Sequence, residues 1–200
     1  SDITVEISGT VDLSTQIWIP IGEAESAPFR GKLIGAEDSV IKGLSSEGYN
    51  ASIANATKLM SGQIGVSYGL IGFAENATIE NISLTNVNID LPTSAQTGAL
   101  VGYATGNLTV EDCTVGAAGD GSVVSGQTKM GGLIGTIKQK TGETSSVVTI
   151  RNCVNYAAVT ATAPSADPNN PRAAGIVGAL QANGATYRLE NCENHGAITA

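Results

Sequence analysis

Two hundred residues are enough for one domain with a continuous core. Eighteen acidic against ten basic residues leave a net charge of −8, which argues against nucleic acid and against an anionic membrane surface as partners. No apolar run approaches the roughly 18 residues of a membrane span, so none is expected.

In chain order, residues 1–44 carry three short phrases, Trp18-Ile19-Pro20-Ile21-Gly22, Phe29-Arg30-Gly31 and Ile41-Lys42-Gly43-Leu44. Residues 45–68 form an insertion. From residue 69 onward a small residue, two aliphatics and a glycine recur four times: Gly69-Leu70-Ile71-Gly72, Ala99-Leu100-Val101-Gly102, Gly132-Leu133-Ile134-Gly135 and Gly175-Ile176-Val177-Gly178. A second phrase follows each: Ile79-Glu80-Asn81-Ile82, Val110-Glu111-Asp112-Cys113, Ile150-Arg151-Asn152-Cys153 and Leu189-Glu190-Asn191-Cys192. The closing glycines stand 30, 33 and 43 residues apart, so the phrases hold while the extra residues are expected in loops.

A helical repeat needs an amphipathic run of ten or more residues per unit, whereas the apolar positions here come in short bursts bounded by Gly, Asn, Asp and Thr. The units are therefore expected to be strands. A third phrase is clearest in 152–161 against 191–200, and three short strands per unit fit one coil of a parallel β-helix. Each strand would then pair with its own copy about 4.8 Å along the axis. The expectation is an all-β solenoid forming one domain over 1–200, with a lead-in coil at 1–44, the insertion at 45–68 and four repeats at 69–200.

Stacking of like on like accounts for the ladder residues. Cys113, Cys153 and Cys192 share one place in their units, where the first unit has Ile82, and read as an inward ladder of thiols. The alternatives are a disulfide between coils or a soft-metal site; three cysteines cannot all pair, and no CxxC or Cys/His spacing accompanies them. Gly72, Gly102, Gly135 and Gly178 mark corners needing positive φ or close backbone approach. No helix follows any of them, so they are not a phosphate-binding loop. Asn81, Asp112, Asn152 and Asn191 form a stacked turn series, with Asn155 and Asn194 at the turn after it.

The glycine phrases, together with Asn-Cys-x-Asn-x-x-x-[Val/Ile]-Thr, resemble the GLUG-motif repeats of bacterial surface and secreted proteins, including the N-terminal region of immunoglobulin A1 proteases. The phrases within 1–44 look like the lead-in that precedes such repeats. The resemblance implies a right-handed β-helix related to pectin-lyase-like folds, and an extracellular or bacterial cell-surface location.

No catalytic constellation assembles from the sequence, and no enzyme activity, cofactor or metal site is expected. Glu80, Glu111, Arg151 and Glu190 read as an outward charged stripe. His195 lies in a turn opposite Tyr156. Phe73 and Tyr103 occupy equivalent places and are expected to stack on each other.

Binding residues are sought where the period breaks. The segment 138–144, with Lys138 and Lys140, is the most basic stretch, and 164–172, with Asp167, Asn169 and Arg172, is stiffened by three prolines. Tyr156 and Tyr187 are the aromatic candidates near the fourth unit. The leading expectation is a non-catalytic interaction module, adhesin-like or a stalk segment; a carbohydrate-binding or polysaccharide-degrading β-helix is the alternative. Expected partners are a host or microbial surface protein or a glycan. The last coil stops at Ala200 without a polar cap, so further repeats or another chain are expected to cover it.

Overall fold

A computed structural model describes residues 3–49, 57–58, 64–65, 67–92, 96–140, 142–143, 145–162, 171–181 and 184–200. The described chain is all-β, with no helix, and apart from one antiparallel pair, Thr57–Lys58 with Ile64–Gly65, its strands run parallel. Four parallel sheets are formed, and in each a strand pairs with the equivalent strand of the next unit.

The longest sheet runs through Ile3–Ile7, Gly31–Gly35, Ile71–Glu80, Val101–Glu111, Ile134–Lys138 and Val177–Gln181, with Val147–Arg151 and Thr186–Glu190 continuing its second half. A second sheet stacks Thr10–Asp12, Val40–Lys42, Ser83–Thr85, Thr114–Val115, Val154–Asn155 and Glu193–Asn194. A third stacks Asn88–Leu91, Val123–Gly126, Ala158–Ala161 and Ile198–Thr199. The fourth joins Ser67–Tyr68, Gln96–Gly98, Lys129–Gly131 and Arg172–Ala174. Each full unit thus feeds four sheets rather than three, because the glycine phrase separates two strands. The segment 1–44 supplies two tiers rather than one, since Ile3–Ile7 pairs with Gly31–Gly35 and Thr10–Asp12 with Val40–Lys42.

The register builds columns. Leu33, Ile79, Val110 and Ile150 lie one above another and are all buried. They alternate with outward neighbours such as Thr78, Thr109 and Thr149, as a strand with one buried face requires. Burying each such aliphatic side chain contributes about 1.5–3 kcal/mol. At the last tier of the column Leu189 is 48% exposed.

The closing glycines work by close approach, not by φ. A Cβ on Gly102 would sit 2.5 Å from the Tyr68 backbone nitrogen, on Gly135 2.5 Å from that of Thr97, and on Gly178 2.7 Å from the Met130 carbonyl carbon. The strand before each phrase therefore lies backbone to backbone against the strand that follows the phrase one unit on. The left-handed conformations fall instead on Asn81, Asp112, Asn152 and Asn191, with φ of 54°, 54°, 52° and 51°. Asn and Asp tolerate that region because their short side chains bond locally. Asn152 Nδ2 donates to Asp112 Oδ1 at 2.9 Å, and Asn191 Nδ2 to Asn152 Oδ1 at 3.2 Å.

Cys113, Cys153 and Cys192 stack in sequence and are free thiols. Cys113 and Cys153 are buried, and each thiol donates to a carbonyl of its own strand, Glu111 and Arg151, at 3.1 Å. Asn155 is not a turn residue. It occupies an inward column beside Val115, fully buried, and its Nδ2 donates to Asn194 Oδ1 at 2.8 Å and to the Ala157 carbonyl at 2.9 Å. These bonds offset the cost of burying an amide.

The long strand bends midway. Asn76 and Gly106 take positive φ there, and the Asn107 amide donates to Asn76 Oδ1 at 2.9 Å. In the third unit the chain leaves the sheet at this bend, between Lys138 and Val147. Of the segment 138–144, Lys138 therefore ends a strand rather than lying in a loop, and Lys140 follows just beyond the bend.

Two outcomes are expected. Gly135→Ala lowers stability by about 1–3 kcal/mol through overpacking, and Gly72→Ala, whose Cβ meets nothing nearer than 3.0 Å, costs less; urea midpoints at unchanged m check both. Iodoacetamide labelling followed by mass spectrometry modifies the half-buried Cys192 first, and Cys113 and Cys153 only after unfolding.

Candidate functional site

At the bend of the long strand, three segments distant in sequence meet around Glu75. Phe29 bridges to Ala74, and the Glu75 amide donates to the Phe29 carbonyl at 2.9 Å, so the lead-in is held alongside the strand and Arg30 is brought beside the carboxylate. Arg30 Nη2 donates to Glu75 Oε2 at 2.7 Å. From the third-unit loop, Lys140 Nζ donates to Glu75 Oε1. The Glu75 side chain is only 10% exposed, whereas Arg30 and Lys140 are about half exposed. The hydrogen bond from Lys140, aided by Arg30, outweighs burial and holds the Glu75 carboxyl below its usual range.

These groups line a cleft of about 410 Å³ together with Glu25, Tyr103, Thr105 and Lys138. Phe73 and Tyr103 pack at its base, ring centroids 5.7 Å apart and tilted by 58°. Burial, then the charge of Glu25, pushes the Tyr103 phenol up, so it stays protonated as a donor. Above Glu75 the register places Thr105, Lys138 and Gln181 in one column, one residue per tier. At its far end Lys129 Nζ donates to Gln181 Oε1 at 3.4 Å, and Lys129 pairs in register with Arg172. Burial, then the charges of Arg172 and Lys138, pulls the Lys129 ammonium down. Arg30, Lys129, Lys138, Lys140 and Arg172 make up half of the ten basic residues of an acidic chain.

Of the sequence candidates, the structure places Lys138 and Lys140 in this cleft and Arg172 beside Lys129 at the far end of the column. Asp167 and Asn169 lie outside the described residues, as do 163–170 generally and much of the insertion 45–68. Tyr156 is elsewhere: its ring stacks on His195, centroids 4.9 Å apart and 18° between planes. Tyr187 pairs beside Val148 and packs against the core. In the charged stripe, Arg151 Nη2 donates to Glu111 Oε2 at 2.6 Å, an exposed structural pair. Arg30, Glu75 and Lys129 are functional candidates that sequence reasoning missed. A signal was present: the residues three past each closing glycine are Glu75, Thr105, Lys138 and Gln181.

Among the described residues no cluster of three or more His, Cys, Asp or Glu side chains is placed to hold a metal ion. No described helix is long and apolar enough to cross a membrane. No protein-family model, curated protein or solved structure matches the chain.

Because the folded-state value of Glu75 is depressed, its ionised form contributes stability above the unfolded-state value of about 4.3. That contribution is lost as pH falls through the folded value. The stability difference between the protein and Glu75→Gln is therefore expected to hold steady near neutrality and to narrow on acidification. Urea titrations across pH check this, and Lys140→Met is expected to move the narrowing to higher pH.

Proposed function

We propose that this chain is a non-catalytic interaction module of a bacterial surface or secreted protein, carried on a right-handed parallel β-helix. The GLUG-like phrases support the family and the location, and the unit-by-unit parallel register supports the solenoid. One observation carries the function: the segments that break the period converge, Arg30 from the lead-in and Lys140 from the third-unit loop, on a single buried carboxylate in a cleft. Regular positions serve packing, whereas irregular ones build a recessed polar surface on rigid strands, the arrangement a binding site needs.

A polysaccharide-degrading reading draws on one observation, the presence of both Glu25 and Glu75 in the same cleft. Against it, a general acid must carry a proton at working pH. Glu75, clamped by two cations, is held ionised and is not that acid, so the role would fall to Glu25, with Glu75 as nucleophile or base.

The expected result is saturable binding of the purified chain to immobilised extracellular-matrix proteins or intact cells, with no release of reducing ends from polysaccharides incubated alongside. Reducing-end release that disappears in Glu75→Gln would establish the enzymatic reading instead. Absence of saturable binding to any of these surfaces overturns the interaction module.

A further inference from the structure

We propose that the polar column running from Glu75 through Lys138 to the Lys129 and Arg172 pair binds an anionic oligosaccharide, carboxylated or sulfated, laid across successive tiers of the stack. This deepens, and rests on, the reading of the chain as a surface interaction module.

The case for an anion is electrostatic. Like charges directly opposite in a sheet are destabilising, yet Lys129 and Arg172 occupy paired positions, with the charge of Lys138 also acting on Lys129. The remainder of the chain is acidic, so this concentration of cations is not the average character of the surface. A bound anionic group relieves the repulsion and makes charge-assisted hydrogen bonds with the same side chains.

The geometry favours an elongated ligand. Thr105, Lys138 and Gln181 follow Glu75 at one residue per tier, so the column extends for about 14 Å at the inter-strand spacing of about 4.8 Å. It opens into the cleft at one end and meets the Lys129 and Arg172 pair at the other.

The case for a sugar rests on Glu75. A carboxylate accepts at about four lone-pair sites, and Arg30 and Lys140 take one oxygen each. Acceptor capacity remains for hydroxyl donors, which a saccharide presents on every ring, whereas the side chains of an all-glutamate peptide bring only acceptors. The cleft also contains Thr105 and Tyr103, whose hydroxyls both donate and accept. Cations for an acidic group beside a carboxylate and hydroxyls for sugar hydroxyls match one chemistry, the anionic saccharide.

The test is calorimetric titration of the whole chain with four probes: a hexasaccharide alternating glucuronate and N-acetylglucosamine, a heparin-derived sulfated hexasaccharide, cellohexaose and hexaglutamate. At least one anionic hexasaccharide is expected to bind, with cellohexaose silent and hexaglutamate about tenfold weaker or more, a difference of about 1.4 kcal/mol. The two anionic probes separate carboxylate from sulfate. Lys138→Gln and Arg172→Gln are each expected to weaken binding about fivefold, the worth of one exposed ion pair, and to flatten its salt dependence. Lys32→Gln, on the strand Gly31–Gly35 outside the column, serves as the control. Thermal melts verify that each variant folds. Silence of both anionic sugars, equal binding of hexaglutamate, or unchanged affinity in both Lys138→Gln and Arg172→Gln overturns the proposal. If matrix binding survives while both anionic sugars are silent, the ligand class falls and the interaction module stands; loss of both removes the two together.

Discussion

Two parallel sheets in this protein meet backbone to backbone, and the rest of the structure is arranged around that contact. A strand such as Gln96–Gly98 lies so close to the strand after the next glycine phrase that a Cβ at Gly135 has no room beside the Thr97 amide. Ordinary sheet packing leaves about 10 Å for interdigitated side chains. Here the side chains are removed from the seam. The chain can therefore reverse sharply at each phrase, and the following long strand starts from the same place in every unit, which secures its register on the copy below.

With the register set, position along a unit becomes position in a column, and each column selects one chemistry. Aliphatic columns fill the interior. The Asn and Asp column takes the left-handed corners and ties itself together through side-chain amides. The thiol column donates to main-chain carbonyls, with no disulfide between its members. Asn155 is instructive because it enters a column that holds Val115 and Leu84 in earlier tiers. It is accommodated by Asn194 above it, so a polar residue in the core depends on its counterpart in the next unit.

Irregularity is concentrated where the regular scheme has slack. The bend at Asn76 and Gly106 uses positive φ rather than buried packing, so the third unit can open there into a loop without disturbing the columns on either side. That loop delivers Lys140 to Glu75, and the lead-in delivers Arg30 to the same carboxylate. The cleft is thus a product of two departures from the repeat, held in place by the repeat itself.

The sequence alone determined that the chain is built of stacked strands, that Cys113, Cys153 and Cys192 are equivalent, and that the corners fall to glycine and asparagine. Those features are local or periodic, and recur often enough to be read by comparing one unit with the next. It also singled out Lys138 and Lys140 as a break in the period. Only the tertiary structure decided that the closing glycines serve close approach rather than positive φ, that Asn155 is buried in a strand, and that residues 1–44 supply two tiers. It alone brought Arg30, Glu75 and Lys140 together, because they are separated by 45 and 65 residues and belong to no shared motif. Their meeting depends on which strand each segment pairs with, and parallel pairing between units joins residues by register rather than by proximity in the chain.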